Sequence, residues 1–252
     1  MDGRVVPASE ATVPLLDDGF LRGDAVFETI LVRHGRTHAL DRHLARMRRS
    51  AKTTGIRLPV LRHVVGDLLA AWGERDGALK LVVTRSGLVR GLLSQPVWPE
   101  ALALVAVEVP WRTALSGTKT LSYAMNQWVT RHAQELHGDD GVITVDGIVH
   151  ELPTAAIVWV RDGTLHAPDH RELPVLESVT LRELRDIADV ELGVYTLEHL
   201  RGAGEVFVLS ATRPLLPVHA LGDVAFTLPG PVTTELRQRF AEHIEDTLDP
   251  RP

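Results

Sequence analysis

Only three side chains in this sequence carry a primary amine: Lys52, Lys80 and Lys119. Almost all of its other basic charge is arginine. A lysine amine condenses with an aldehyde to a Schiff base, chemistry that few other side chains offer. Lys52 falls in an arginine-rich helix tail and Lys80 opens an apolar strand, so both read as surface or edge residues. Lys119, in SGTKTLSY, lies at the entrance of a predicted helix and beside a predicted domain boundary. A helix dipole opposes positive charge at that end, so a neutral amine or imine is easier to keep there. Position alone leaves Lys119 open between a catalytic amine and an ordinary solvated lysine.

Other chemistries find less support. The 12 histidines are scattered. There is no HExxH, and no histidine pair shares a helix face with a carboxylate. His166, Asp169 and His170 are the one loop cluster with ligand types, and they read better as solvated loop polars than as a metal site. No metal is expected. No Walker or dinucleotide glycine pattern occurs, and no Gly-x-Ser-x-Gly elbow. The absence of cysteine removes disulfides, thiol catalysis and Cys-ligated zinc.

The elements that must position these groups can be read from patterning. Asp24–Arg33 is β-branched and aromatic, a strand, followed by a turn at His34-Gly35-Arg36. A helix follows, with Asp41 as its cap, Leu40, Leu44, Met47 and Ala51 inward, and Gly55 as its stop. A second helix spans about Pro59–Glu74, with Val60, Val64, Leu68 and Trp72 marking its buried side and Leu61, Val65 and Leu69 widening it. Strands follow at Ala78–Arg85 and Leu102–Val109. A helix covers roughly Leu121–Leu136, with Leu121, Met125, Trp128, His132 and Leu136 on one side. Two Asp-Gly pairs, Asp146-Gly147 and Asp162-Gly163, sit between apolar runs and signal hairpins. A helix over Thr180–Val190, a strand at Glu205–Ser210 and a polar terminal helix over Thr233–Thr247 complete the picture. The fold class is α+β, with a smaller domain over 1–111 and a larger one over 112–252.

With 252 residues, 44% hydrophobic and 24% charged, the chain has the composition of a folded globular protein of two domains. Its formal charge of -6 argues against a general nucleic-acid binder. Met1–Pro14 lacks the pattern of a signal peptide, and no apolar run is long enough to span a bilayer. The expectation is a cytoplasmic protein without nucleic-acid or membrane partners.

Seven segments, in order, resemble the class IV aminotransferase family, the pyridoxal-phosphate enzymes of fold type IV. They are DDGFLRGDAVFET from Asp17, HLARMRRSA from His43, TRSGLVRG from Thr84, KTLSYAMNQ from Lys119, VDGIVHE from Val145, LESVT from Leu176 and EVFVLSATRPLLPV from Glu205. The resemblance covers almost the whole chain and implies a two-domain D-amino acid aminotransferase-like fold, with the larger domain binding pyridoxal 5'-phosphate.

The resemblance also implies roles. Lys119 matches the lysine that holds the cofactor covalently and then moves the substrate α-proton. Glu151 matches the carboxylate paired with the pyridine nitrogen, which keeps the ring a better electron sink. Arg46 matches the arginine that clamps the phosphate, where a guanidinium gives two parallel hydrogen bonds. Val179 and Thr180, at a helix start, match one phosphate-binding turn, and Ala211 and Thr212 match the other. Arg90 matches an arginine that binds a substrate carboxylate, with Arg85 the weaker candidate. Thr29 matches a hydroxyl that assists proton transfer in the lyase-like members. Tyr123, four residues after Lys119, falls near the same predicted helix face, either lining the cofactor or packing in the core.

Three positions depart from the family pattern. Leu152 follows Glu151 where glycine is common, Ser178 precedes Val179 in the same way, and Ala25 replaces a frequent glycine. Each loses conformational range if its site needs a positive φ. The motifs most resemble the lyases that convert 4-amino-4-deoxychorismate to 4-aminobenzoate and pyruvate, a step towards folate. The alternative is an aminotransferase for D-amino acids or branched-chain L-amino acids. A second alternative is a binding protein that kept the fold and lost the chemistry. The family implies a homodimer and a small substrate with amino and carboxylate groups.

Overall fold

The structure, a computed structural model, describes residues 4–251. Met1–Gly3, the start of the stretch read for a leader, and Pro252 lie outside it. The chain divides into two compact units. The first comprises the chain up to Val97, Thr118–Tyr123 and the tail from Ile244. The second comprises Trp98–Gly117 and Ala124–His243. A single boundary near residue 112 does not provide for this division. The strand expected in the smaller domain at Leu102–Val109 pairs into the sheet of the second unit, and two later segments return to the first.

The first unit contains α1 (Asp18–Arg22), β1 (Ala25–Arg33), β2 (Arg36–Thr37), α2 (Leu40–Thr54), α3 (Arg62–Trp72), β3 (Gly77–Thr84) and β4 (Val89–Ser94). Its sheet runs β2-β1-β3-β4, antiparallel throughout. Side chains alternate across a strand, so Val26, Ile30 and Val32 of β1 face one way. They form the core with Leu44 and Met47 of α2 and Val65 and Leu69 of α3. Gly55 ends α2 in the left-handed conformation, φ 68°.

Two sequence expectations fail in this unit. Asp41 does not cap α2. The cap position is Ala39, which has no side-chain acceptor, and the Leu40 N–H instead donates to Asp249 Oδ2 at 2.9 Å. Arg36 holds the same tail through the carbonyls of Leu248 and Asp249, both at 2.7 Å. The buried face of α3 is also displaced by one residue. Val60 is 74% exposed, whereas Leu61, Val65 and Leu69 are buried and Val64, Leu68 and Trp72 only border the core. The helix begins at Arg62, after Val60, so Val60 never joins its inward stripe.

The second unit contains β5 (Leu102–Glu108), α4 (Ala124–Glu135), β6 (Asp140–Val145), β7 (Ile148–Val149), β8 (Ala156–Arg161), β9 (Thr164–Pro168), α5 (Val179–Leu184), β10 (Val190–Gly193), α6 (Leu197–Arg201), β11 (Glu205–Ser210), β12 (Arg213–Leu221), β13 (Val224–Ala225) and α7 (Pro231–Asp246) up to His243, the residues of α7 from Ile244 on belonging to the first unit. The strand order is β10-β9-β8-β11-β12-β5-β6-β7, with β13 on β12. Both Asp-Gly pairs form the expected turns, with positive φ at both residues. Helix α5 is shorter than the 180–190 expectation, because Val190 opens β10.

Helix α4 turns a different side inward than its apolar residues suggest. Val129 and Ala133 are buried, with Val107 and Ile143 of the sheet in the same cluster. Met125 and Trp128 are exposed, and Trp128 stacks on His132 with ring centroids 4.9 Å apart. Gly141 permits this close approach: a Cβ there would lie 2.6 Å from Val129 Cγ1. Among the described residues, no helix is long and apolar enough to cross a membrane.

Candidate active site

In the first unit, Lys119 is not at a helix entrance. Helix α4 begins five residues later, and Lys119 lies on an extended segment bridged to β1 through Thr120 and Val26. The Phe27 N–H donates to the Lys119 carbonyl at 3.1 Å and the Leu121 N–H to the Ala25 carbonyl at 2.9 Å. The Lys119 N–H donates to Ser50 Oγ of α2 at 3.0 Å. The helix-dipole argument for its amine therefore does not apply. An aromatic contact replaces it, with Lys119 Nζ 4.5 Å from the Phe27 ring centroid.

Phe27 gathers further groups. Lys80 Nζ lies 4.8 Å from the same ring, and Tyr123 meets it edge-on at 5.2 Å. Lys80 is no surface or edge residue. It sits on β3, between two strands, and burial pushes its amine below the usual lysine range. Thr29 faces Lys80 across the strand pair. Tyr123 precedes α4, so its nearness to Lys119 runs through Phe27, not along a helix face. Sequence reading does not single out Phe27 and places Lys80 at a surface or edge. The signal for Phe27 is the period of two along β1, which puts it and Thr29 on one face.

The arginines behave differently from one another. Arg90 lies on β4 opposite Val82, itself opposite Phe27, so it shares that sheet face two strands away. It is exposed and donates to the carbonyls of Thr12 and Val89 at 3.1 and 2.9 Å. Arg85 is committed elsewhere: Nε donates to Asp24 at 2.6 Å and Nη2 to the Thr54 carbonyl at 2.6 Å. Arg46 is buried on α2, on the other side of β1. Its Nε and Nη2 donate to Glu28 Oε1 and Oε2 at 2.8 and 2.6 Å. His43 Nδ1 is 2.8 Å from Glu28 Oε2. Burial alone would push the Glu28 carboxyl up, but the Arg46 charge and the hydrogen bonds from Arg46 and His43 outweigh it and hold the group at about 2. Burial pushes the His43 imidazole below its ordinary range. It is therefore neutral near pH 7, with Nδ1 carrying the proton given to Glu28.

In the second unit, Glu151 follows the short strand β7. Its Oε1 accepts from Trp111 Nε1 at 3.3 Å and its Oε2 from the Leu176 N–H at 3.1 Å. A cavity of about 140 Å³ lies beside it, lined in part by Leu176, Ser178, Leu181 and Arg182. Val179 and Thr180 open α5, where the first N–H groups have no acceptor within the helix. Ala211 and Thr212 form the two-residue turn between β11 and β12. Behind that turn Arg213 is buried. Its Nε donates to Ser210 Oγ at 3.3 Å, its Nη2 to Thr154 Oγ1, and its guanidinium lies 4.4 Å from the Trp98 ring. Asp140 Oδ2 is 3.9 Å away. Arg213 thus ties the Ala211-Thr212 turn to the turn after Glu151.

The three departures from the glycine pattern carry no backbone strain. None of Ala25, Leu152 and Ser178 has positive φ. Leu152 is buried in the sheet core. Ser178 caps α5, accepting from the Leu181 N–H at 3.2 Å. Asp169 and His166 are buried, not solvated: Asp169 pairs with Arg171 at 2.6 Å, and His166 Nδ1 lies 3.3 Å from the Tyr195 hydroxyl.

Each unit presents groups that suit part of a phosphorylated aromatic aldehyde. The first has an amine on an aromatic face, which can condense with an aldehyde, and an oriented guanidinium suited to a phosphate. The second has an anchored carboxylate suited to a ring N–H and helix-start amides suited to a phosphate.

Comparison with known proteins points the same way. Residues 25–221 match the family model described as amino-transferase class IV. A D-alanine aminotransferase of Bacillus licheniformis is 27% identical, over 96% of this chain and 95% of the relative. A bifunctional aminodeoxychorismate lyase / D-amino acid transaminase of Mycobacterium tuberculosis is 29% identical, over 98% and 97%. The solved fold IV-transaminase CpuTA1 of Curtobacterium pusillum superposes with a TM-score of 0.84 at 25% identity, covering 95% of this chain and 91% of that one. D-alanine aminotransferases recur among the relatives more often than lyases, against the expectation that the lyases resemble the chain most.

Proposed function

The chain belongs to the amino-transferase class IV family, and from that premise we propose that it is a pyridoxal-5'-phosphate-dependent aminotransferase acting on small D-amino acids. The observation that carries the reading is its end-to-end similarity to the D-alanine aminotransferase of Bacillus licheniformis.

Bound pyridoxal 5'-phosphate supplies an electron sink for the bond that breaks at the amino-bearing carbon. Lys119 would hold the cofactor, and its amine would move the proton at the substrate α-carbon. Glu151 keeps a proton on the pyridine nitrogen. Arg46, the amides of Val179, Thr180 and Ala211, and the Thr212 hydroxyl bind the phosphate. Arg90 and Tyr123 bind the substrate, Arg90 through its carboxylate, and Thr29 assists proton transfer. The enzyme is a cytoplasmic homodimer in this reading.

One observation favours a second activity. The Mycobacterium tuberculosis relative is named for both transamination and aminodeoxychorismate lyase activity. Conversion of 4-amino-4-deoxychorismate to 4-aminobenzoate and pyruvate is therefore the second reading.

The test supplies cofactor and D-alanine with 2-oxoglutarate and follows pyruvate, beside a parallel reaction with 4-amino-4-deoxychorismate that follows 4-aminobenzoate. Pyruvate formation that disappears in Lys119→Ala is the expected result. 4-Aminobenzoate without transamination would replace the main reading by the second. Neither product, from cofactor-loaded protein, would reject both substrates.

A further inference from the structure

We infer that Glu28 is a positioning residue for the phosphate end of the cofactor, acting through Arg46. The inference rests on the role given to Arg46 above.

Glu28 stands between Val26 and Ile30 on the core-facing side of β1 and is 0% exposed. A charge in that row is costly. Desolvating a carboxylate and a guanidinium consumes most of what their attraction returns, and apolar residues of similar volume commonly give an equal or better core. Stability is therefore a poor explanation for the pair. Orientation is a better one. Glu28 takes the Nε–Nη2 edge of Arg46 with two bonds, at 2.8 and 2.6 Å. A planar guanidinium held along one edge has its plane and its opposite edge fixed. Any further acceptor must approach through Nη1 or the outer hydrogen of Nη2.

The surroundings reinforce this. Neutral His43 gives Glu28 a third bond at 2.8 Å and adds no charge of its own. Glu28 and Arg46 therefore balance. A phosphate dianion meets an arginine whose rotamer entropy has already been lost to burial, and whose donors are already aimed. His43 and Glu28 act through Arg46, so the effect belongs to the phosphate and not to the ring or the aldehyde.

That distinction supplies the experiment. Dissociation constants are measured by equilibrium dialysis for pyridoxal 5'-phosphate and for pyridoxal, which lacks the phosphate. The proteins are the wild-type full chain, Glu28→Gln and Glu28→Asp. Glutamine removes the charge at constant size. Aspartate keeps the charge but withdraws it by one methylene, and carries the test alone if the glutamine variant does not fold. Pyridoxal 5'-phosphate should bind about tenfold to a hundredfold more weakly in Glu28→Gln, the span of one lost charge-assisted hydrogen bond. It should bind with a smaller loss in Glu28→Asp, and pyridoxal should be unchanged within about twofold in both. Equal weakening of both ligands would make Glu28 merely structural, and unchanged binding of both would make it idle; either overturns the inference. A wild-type chain with no preference for the phosphorylated ligand would instead overturn the functional reading beneath it.

Discussion

Gly35 and Gly87 offer a matched test of how the first unit is packed. Both have positive φ, 70° and 86°, and both lie in tight turns beside strands of the same sheet. At Gly87 an added Cβ would meet nothing within 4 Å. Gly87→Ala therefore incurs only the left-handed backbone penalty, about 1–2 kcal/mol. Part of that is offset by the lower entropy of the unfolded alanine chain, leaving a net loss of about 1 kcal/mol. At Gly35 the same Cβ would lie 2.3 Å from the Gly73 carbonyl oxygen and 3.0 Å from its carbon. Those are backbone atoms, which cannot rotate away as a side-chain end can. Overpacking of this kind adds about 1–3 kcal/mol, so Gly35→Ala should cost about 2 kcal/mol more than Gly87→Ala. Urea unfolding followed by circular dichroism reads the difference. With a slope of about 1–3 kcal/mol per molar, the two midpoints should differ by roughly 1 M. Equal midpoints would refute the reasoning, because they would mean that the Gly35 turn and the Gly73 carbonyl are not in contact.

Two further outcomes follow from the same unit. Leu61→Ala should lose about 2–5 kcal/mol in urea unfolding as a buried leucine, while Val60→Ala stays within about 0.5 kcal/mol as a surface change; the reverse order would restore the displaced helix face. Asp249→Ala should cost about 1 kcal/mol by removing the acceptor at the start of α2. The Leu40 amide should then exchange with deuterium faster than that of Met47, and no change at Leu40 would deny the cap.

The elements legible in sequence were those whose determinants are local. The strand at Glu205–Ser210, the stop at Gly55 and the two Asp-Gly turns all follow from the residues at the spot. The start of α2 was not legible, because its acceptor is Asp249, more than two hundred residues later. The inward face of α4 is not legible in its apolar residues because Gly141 lets small residues pack closest, leaving the larger Met125 and Trp128 outside. In the candidate site, the family motifs named Lys119, Glu151 and Arg46. The groups that hold them, Ser50, Trp111 and Glu28, come from distant segments. Glu28 did carry a signal. It falls in the inward row of an apolar strand, and a buried carboxylate needs a partner of opposite charge. Arg213 carried none, since one arginine among many says nothing about a buried contact with Thr154.

The tail from Ile244 belongs to the first unit, and this has a consequence for how the protein is made. Ribosomes deliver the chain from its N-terminus at about 5–20 residues per second. Val97 and Asp249 are therefore separated by about 8–30 s of synthesis. Throughout that interval the sheet and helices of the first unit already exist as nascent chain, but α2 lacks its acceptor and Arg36 lacks the carbonyls it binds. The first unit is thus completed only when the Leu248–Asp249 segment follows it, and loss of that segment would leave a protein whose defect lies at Leu40.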